Sequence, residues 1–180
     1  MMFGAHALFG IISYKAPFLW MEEGRPRTII GLTLAFLSHG ILDAFSIFTY
    51  HEMNPFGTIF QKLVYFGWCA VAVVIIVYIV RLSRSYVLPV CLSFFFDIWD
   101  HLILGFIQCT TISSTSGCMR DFSPVIANMQ LHRLEWFLLE NFFSETPRFH
   151  DNPWFIFGEV FTITLLFFIF QKMHDNGNRA

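Results

Sequence analysis

The chain has 180 residues, enough for a single domain, and a formal net charge of -2. Hydrophobic residues make up 56% of it and charged residues only 13%, about half the share usual in soluble domains. A soluble domain of this size leaves too much of its surface wet to hide that much apolar side chain, and with no basic patch or binding motif there is no case for nucleic acid as a partner.

The composition predicts an all-α, polytopic transmembrane bundle forming one domain over 1–180, with membrane lipid as its surroundings. A helix needs about 20 apolar residues to cross a bilayer, and five stretches qualify. The first, Phe3 to Trp20, carries His6; no basic segment precedes it, so it reads as a retained helix rather than a signal peptide. The second, Thr28 to Tyr50, contains Ser38-His39-Gly-Ile-Leu-Asp43, which puts His39 and Asp43 on one helix face. The third, Phe56 to Val80, carries Lys62 and Cys69. The fourth, Tyr86 to about Ile112, carries Cys91 and the run Asp97-Ile-Trp-Asp100-His101, in which Asp97 and His101 again share a face. Cys109 and Cys118 then flank a polar stretch. They can form a disulfide if that loop faces an oxidising compartment, and two free thiols fit equally well. Over 122–143, Leu131, Leu134, Leu138 and Phe142 recur at helical spacing beside Arg133, Glu135 and Glu140, the pattern of an interfacial amphipathic helix. The fifth stretch, Trp154 to Phe170, carries Glu159.

Basic residues orient the bundle. Arg25 and Arg27 lie between spans one and two, Arg81 and Arg84 between three and four, and Lys172 and Arg179 after five. With five spans all three places share one side, which the positive-inside rule makes cytoplasmic. The N-terminus and the 113–153 region then face the other side.

That topology, drawn from basic residues alone, gives a common depth to the polar residues inside the spans. His39 lies about 11 residues into span two, roughly 16 Å from its cytoplasmic start, and Asp97 and His101 lie at similar depth in span four. His6 and Glu159 come early in spans that start on the outer side. Ionisable groups in lipid cost about 2.5–3.5 kcal/mol each and so usually face the interior and mark a site. Asp43, Asp97, Asp100 and Glu159 together would repel one another or take up protons, and a divalent cation removes that conflict. His and carboxylate ligands at helical spacing are how bundles build metal sites. The mixed set suits zinc, manganese or iron better than magnesium or calcium. His6, His39, Asp43, Asp97, Asp100 and His101 are therefore the candidate ligands, with zinc the foremost metal. Glu159 is the candidate general base. Lys62 is a candidate contact for a substrate phosphate, although a lysine there can also snorkel to the interface.

The segments Gly4-Ala-His6-Ala-Leu-Phe-Gly10 and Gly31-Leu-Thr-Leu-Ala-Phe-Leu-Ser-His39-Gly-Ile-Leu-Asp43 resemble the opening helix and the His-x-x-x-Asp helix of the small membrane-bound metal-dependent hydrolases of the YdjM-like group. The resemblance covers about the first 50 residues. It implies a multi-span bundle with His6, His39 and Asp43 as metal ligands, and hydrolysis of a lipid or phosphoester. The group's His-Arg-Gly-x-Thr-His-Ser motif is absent, so Asp97, Asp100 and His101 would complete the set here. Residues and resemblance together favour a membrane-embedded metal-dependent hydrolase acting on a lipid or other membrane-associated ester. A proton- or metal-ion-translocating protein and a non-catalytic scaffold with register-fixing polar pairs are the alternatives. Any of the three is compatible with a homo-oligomer.

Overall fold

The computed structural model describes residues 3–44, 58–99, 103 and 154–177, and among these every regular element is helical. Helix α1 spans Phe3–Lys15 and tightens into a 3-10 turn, Ala16–Leu19, whose Pro17 carbonyl accepts from the N–H groups of Trp20 and Met21. Helix α2, Arg25–Ala44, has Pro26 in its first turn, where the missing N–H breaks no helical bond. Helix α3, Ile59–Leu82, starts at a capping box: Thr58 Oγ1 accepts from the Gln61 N–H at 3.2 Å, and the Gln61 side chain accepts from the Thr58 N–H. After a 3-10 turn at Arg84–Tyr86, helix α4 covers Val87–Ser93. It stops at Phe94 (φ -102, ψ 1) and is followed by the short helix α5, Phe95–Asp97, and a π-type turn at Ile98 and Trp99. Helix α6 spans Phe155–Gly177.

Helix α1 is the centre of the bundle and packs against α2, α3, α4 and α6. Its Ala5, Leu8 and Ile11 join Leu42, Ile75, Ile79, Val90, Leu166 and Phe170 in one buried core. Glycines set how closely the helices approach. A Cβ at Gly4 would sit 3.0 Å from Ile75 Cδ1, one at Gly10 2.4 Å from Ser93 Cβ, and one at Gly31 2.6 Å from the Tyr14 carbonyl oxygen. Helices in lipid gain little from the hydrophobic effect between them and rely on such backbone proximity for dispersion contact.

The contacts also fix direction. Tyr14 meets Gly31 while His6 meets Asp43, so α1 and α2 run antiparallel. Gly4 faces Ile163 while Lys15 Nζ donates to the Met173 carbonyl at 3.2 Å, so α1 and α6 run parallel. At that same end the Tyr86 hydroxyl lies 3.3 Å from His174 Nδ1, and the Arg27 guanidinium lies over the Phe18 ring. The ends that carry Arg25, Arg27, Arg84 and Lys172 are thus gathered together.

Among the described residues two helices, α3 and α6, are long and apolar enough to cross a membrane. They turn Leu63, Phe66, Val74, Phe157, Phe161 and Phe168 outward, while His6, His39, Asp43 and Glu159 are buried. The other expected spans differ in form. Helix α1 has 13 residues, because Pro17 holds the chain after Lys15 in a tighter turn. The expected span from Tyr86 is not one continuous helix, because it breaks at Phe94. The rest of that span, the continuation of the second span beyond Ala44, the 122–143 amphipathic helix, and Cys109 and Cys118 lie outside the described residues.

Two glycines test this packing. A Cβ at Gly31 meets backbone, which cannot move cheaply, whereas one at Gly67 meets nothing within 4 Å. Gly31→Ala is expected to destabilise the protein by about 1–3 kcal/mol. Gly67→Ala is expected to be neutral or to gain up to about 1 kcal/mol from helix propensity. Thermal unfolding of both variants in the same detergent measures the difference.

Candidate metal centre

Three helices bring their polar groups to one point. His6 extends from the start of α1, and His39 and Asp43 from the same face of α2, one turn apart. His6 Nε2 lies 3.4 Å from Asp43 Oδ1, and His39 Nε2 lies 3.4 Å from Asp43 Oδ2. Asp97, at the end of α5, brings Oδ1 to 3.8 Å from the same His39 nitrogen. The two imidazoles stack, with centroids 4.3 Å apart and planes 20° from parallel. Phe96 stacks on His39 at 5.3 Å, so that ring is held between His6 and an aromatic. His6, His39 and Asp43 are all buried.

The protonation pattern follows from a backbone contact. His39 Nδ1 lies 3.0 Å from the Ser93 carbonyl oxygen, which can only accept, so Nδ1 carries the ring hydrogen. In the neutral imidazole Nε2 then presents a lone pair, and it presents it toward two carboxylates. The Nε2 to oxygen separations of 3.4 Å exceed the roughly 2.7–2.9 Å of a charge-assisted hydrogen bond. One ligand atom each from His6, His39 and Asp43 falls within 4.8 Å of the others, so this buried group could hold a metal ion. The bond from His39 Nδ1 to a main-chain carbonyl is the usual outer support that aims a histidine's other nitrogen at a metal. His6 Nδ1 is buried without a hydrogen-bond partner among the described residues, so only one of the two imidazoles has such support there.

Of the residues expected at the site, the structure brings together His6, His39 and Asp43, with Asp97 at their edge. Glu159 is fully buried on α6 and lies outside the three-residue group. Lys62 is exposed in the first turns of α3. Asp100 and His101 lie outside the described residues. Sequence reasoning misses the Ser93 carbonyl, since a backbone acceptor leaves no residue-type signature. It also misses Phe96 as the ring that covers His39. The pairing of Phe96 with Asp97 just after a helix break is the one signal that could have pointed there.

Comparison of the chain with family models, with curated proteins and with solved structures gives no match. The chemistry of the group has to be read from its own residues.

The support from Ser93 can be tested from the opposite helix. Ser93 reaches His39 because Gly10 leaves it room, and a Cβ at position 10 would lie 2.4 Å from Ser93 Cβ and 2.7 Å from its hydroxyl oxygen. Gly10→Ala is therefore expected to push α4 outward, lengthen the His39 contact and weaken metal affinity about 10–100-fold, the range seen when outer supports are lost. Competitive chelator titration of the wild type and the variant measures it.

Proposed function

We propose that the chain is a multi-pass membrane protein that binds a divalent transition metal, zinc foremost, and hydrolyses a lipid or another membrane-associated ester or phosphoester. The observation that carries this reading is the convergence of His6, His39 and Asp43, one ligand atom of each within 4.8 Å of the others, with the His39 Nδ1 held by the Ser93 carbonyl. A metal held there would polarise a scissile carbonyl or phosphoryl group and lower the pKa of a coordinated water.

The protein groups have separate roles in this reading. Asp43 joins the two imidazoles and offsets the charge of the ion. Asp97, Asp100 and His101 complete the ligand set. Glu159 serves as the general base from the neighbouring helix, and Lys62 contacts the phosphate of a phosphoester substrate. The resemblance of the first 50 residues to the YdjM-like hydrolases supports the same assignment. The interior beyond the group weighs against an ion pathway through the bundle. There Leu8, Ile11, Ile79 and Phe170 are fully buried and apolar, and they fill the space a hydrated path would need.

The membrane arrangement belongs to the same proposal: five spans, with the N-terminus and the 113–153 region on the non-cytoplasmic side. In a chain with its native cysteines replaced by serine, Glu23→Cys, in the loop between α1 and α2, is expected to react with an impermeant maleimide only after the cytoplasmic face is opened. Labelling of Glu23→Cys in intact cells contradicts that orientation.

The metal assignment is tested by Asp43→Asn, which keeps the shape of the side chain and removes its charge. Protein purified without chelator is expected to lose most of its bound metal and its ester hydrolysis together, at unchanged helical content by circular dichroism. A variant that keeps its full metal content refutes the assignment of Asp43 as a ligand.

A further inference from the structure

The two imidazoles of the metal group are held unequally. Three contacts fix the ring of His39. Its Nδ1 donates to the Ser93 carbonyl at 3.0 Å, and the ring lies between His6 at 4.3 Å and Phe96 at 5.3 Å, 20° from parallel to each. A half-turn of this ring about its Cβ–Cγ bond would put a carbon where Nδ1 stands. It would break the bond to Ser93 and carry Nε2 away from Asp43 and Asp97 together. His6 stacks on His39 with one face, and Phe94 meets it tilted by 59° at 6.4 Å. Its Nδ1 is buried and has no hydrogen-bond partner among the described residues. A half-turn of the His6 ring therefore breaks no hydrogen bond at Nδ1, and it keeps the stacked shape. It replaces Nε2, 3.4 Å from Asp43 Oδ1, by the carbon Cε1. His39 and Asp43 also belong to one helix and keep their spacing whatever α1 does, whereas His6 comes from α1.

We propose that the metal group is asymmetric: His39 and Asp43 are its fixed ligands, and His6 is the exchangeable one, which gives up its place on the ion when an external oxygen donor competes for it. This rests on the metal reading above and adds which ligand yields. A histidine whose second nitrogen is tied to a main-chain carbonyl is oriented before the ion arrives, and that bond raises its basicity as a ligand. One without the bond is aimed by the ion alone. The charges favour the same order. An imidazole that turns away leaves no unpaired charge behind, whereas release of Asp43 would leave a buried carboxylate without its cation. The coordination position that opens for an incoming carbonyl or phosphoryl oxygen is then the one His6 occupies.

The test uses the full chain in detergent, loaded with one equivalent of Co²⁺, whose visible and X-ray absorption report its ligands. His39→Ala is expected to weaken Co²⁺ binding about 10–100-fold more than His6→Ala, the range that an outer support is worth. In His6→Ala the ion is expected to stay bound, with its visible bands shifted by the loss of one nitrogen ligand. Equal losses in the two variants, or the larger loss in His6→Ala, overturn the asymmetry. Unchanged bands in His6→Ala remove His6 from the ligand set and overturn it as well. The wild type supplies a second reading that depends on no variant folding. With saturating acetohydroxamate, the outer-shell scattering at the cobalt K-edge is expected to fall from two imidazoles to one; two imidazoles retained overturn the exchange. Failure of the wild type to take up Co²⁺ at all is a different result, and it overturns the metal reading on which the asymmetry depends.

Discussion

Two imidazoles and a carboxylate buried against one another, with a second carboxylate at their edge, form the contact on which the rest of the structure depends. Here it is fixed in part by the main chain. The Ser93 carbonyl takes the only ring hydrogen of His39, and the helix face shared by His39 and Asp43 does the rest. Neither residue can turn away without moving α2 as a whole. His6 meets the same carboxylate from α1, so the crossing of α1 and α2 and the polar group form a single feature of the structure. This buried group of two histidines and a carboxylate could hold a metal ion.

The packing around the group follows from the same requirement. Gly10 lets α4 approach until Ser93 lies beside His39, and Gly31 lets α2 approach the Tyr14 backbone one end further along. The α4 helix stops just after Ser93, and beyond it Asp97 and Phe96 both reach His39. The π-type turns of helices gather at functional sites. At the opposite end, Lys15, Tyr86 and His174 tie α1, α4 and α6 together, away from the group. The bundle thus has a fastened end that carries the basic residues and another end that carries His6, His39 and Asp43.

Much of this was legible in the sequence, for definite reasons. The helical spacing of His39 and Asp43 requires a shared face, and the common depth of His6 with them follows from the direction of each span. All three meet in the structure. The neighbouring of α2 and the fourth segment, expected from matching His and Asp positions, appears in the contact of His39 with Ser93 and Asp97. The form of the fourth segment was not legible, because hydropathy is blind to a helix break within an apolar run, and Pro89 near its start does not itself cause the break at Phe94. Nor was the outer support of His39, since any residue type supplies a carbonyl. Glu159 was recognisable as a buried carboxylate in an apolar span, but its distance from the group depends on how α6 rotates against α1, which periodicity alone does not fix.

The central claim is that one ion sits among His6, His39 and Asp43. X-ray absorption at the zinc K-edge, on protein purified without chelator and reconstituted with one equivalent of Zn²⁺, measures it most directly. The account predicts a four-coordinate first shell of nitrogen and oxygen at about 2.0–2.1 Å, with the outer-shell scattering of two imidazoles. A sulfur shell near 2.3 Å, or a first shell of oxygen alone with no imidazole scattering, would contradict it.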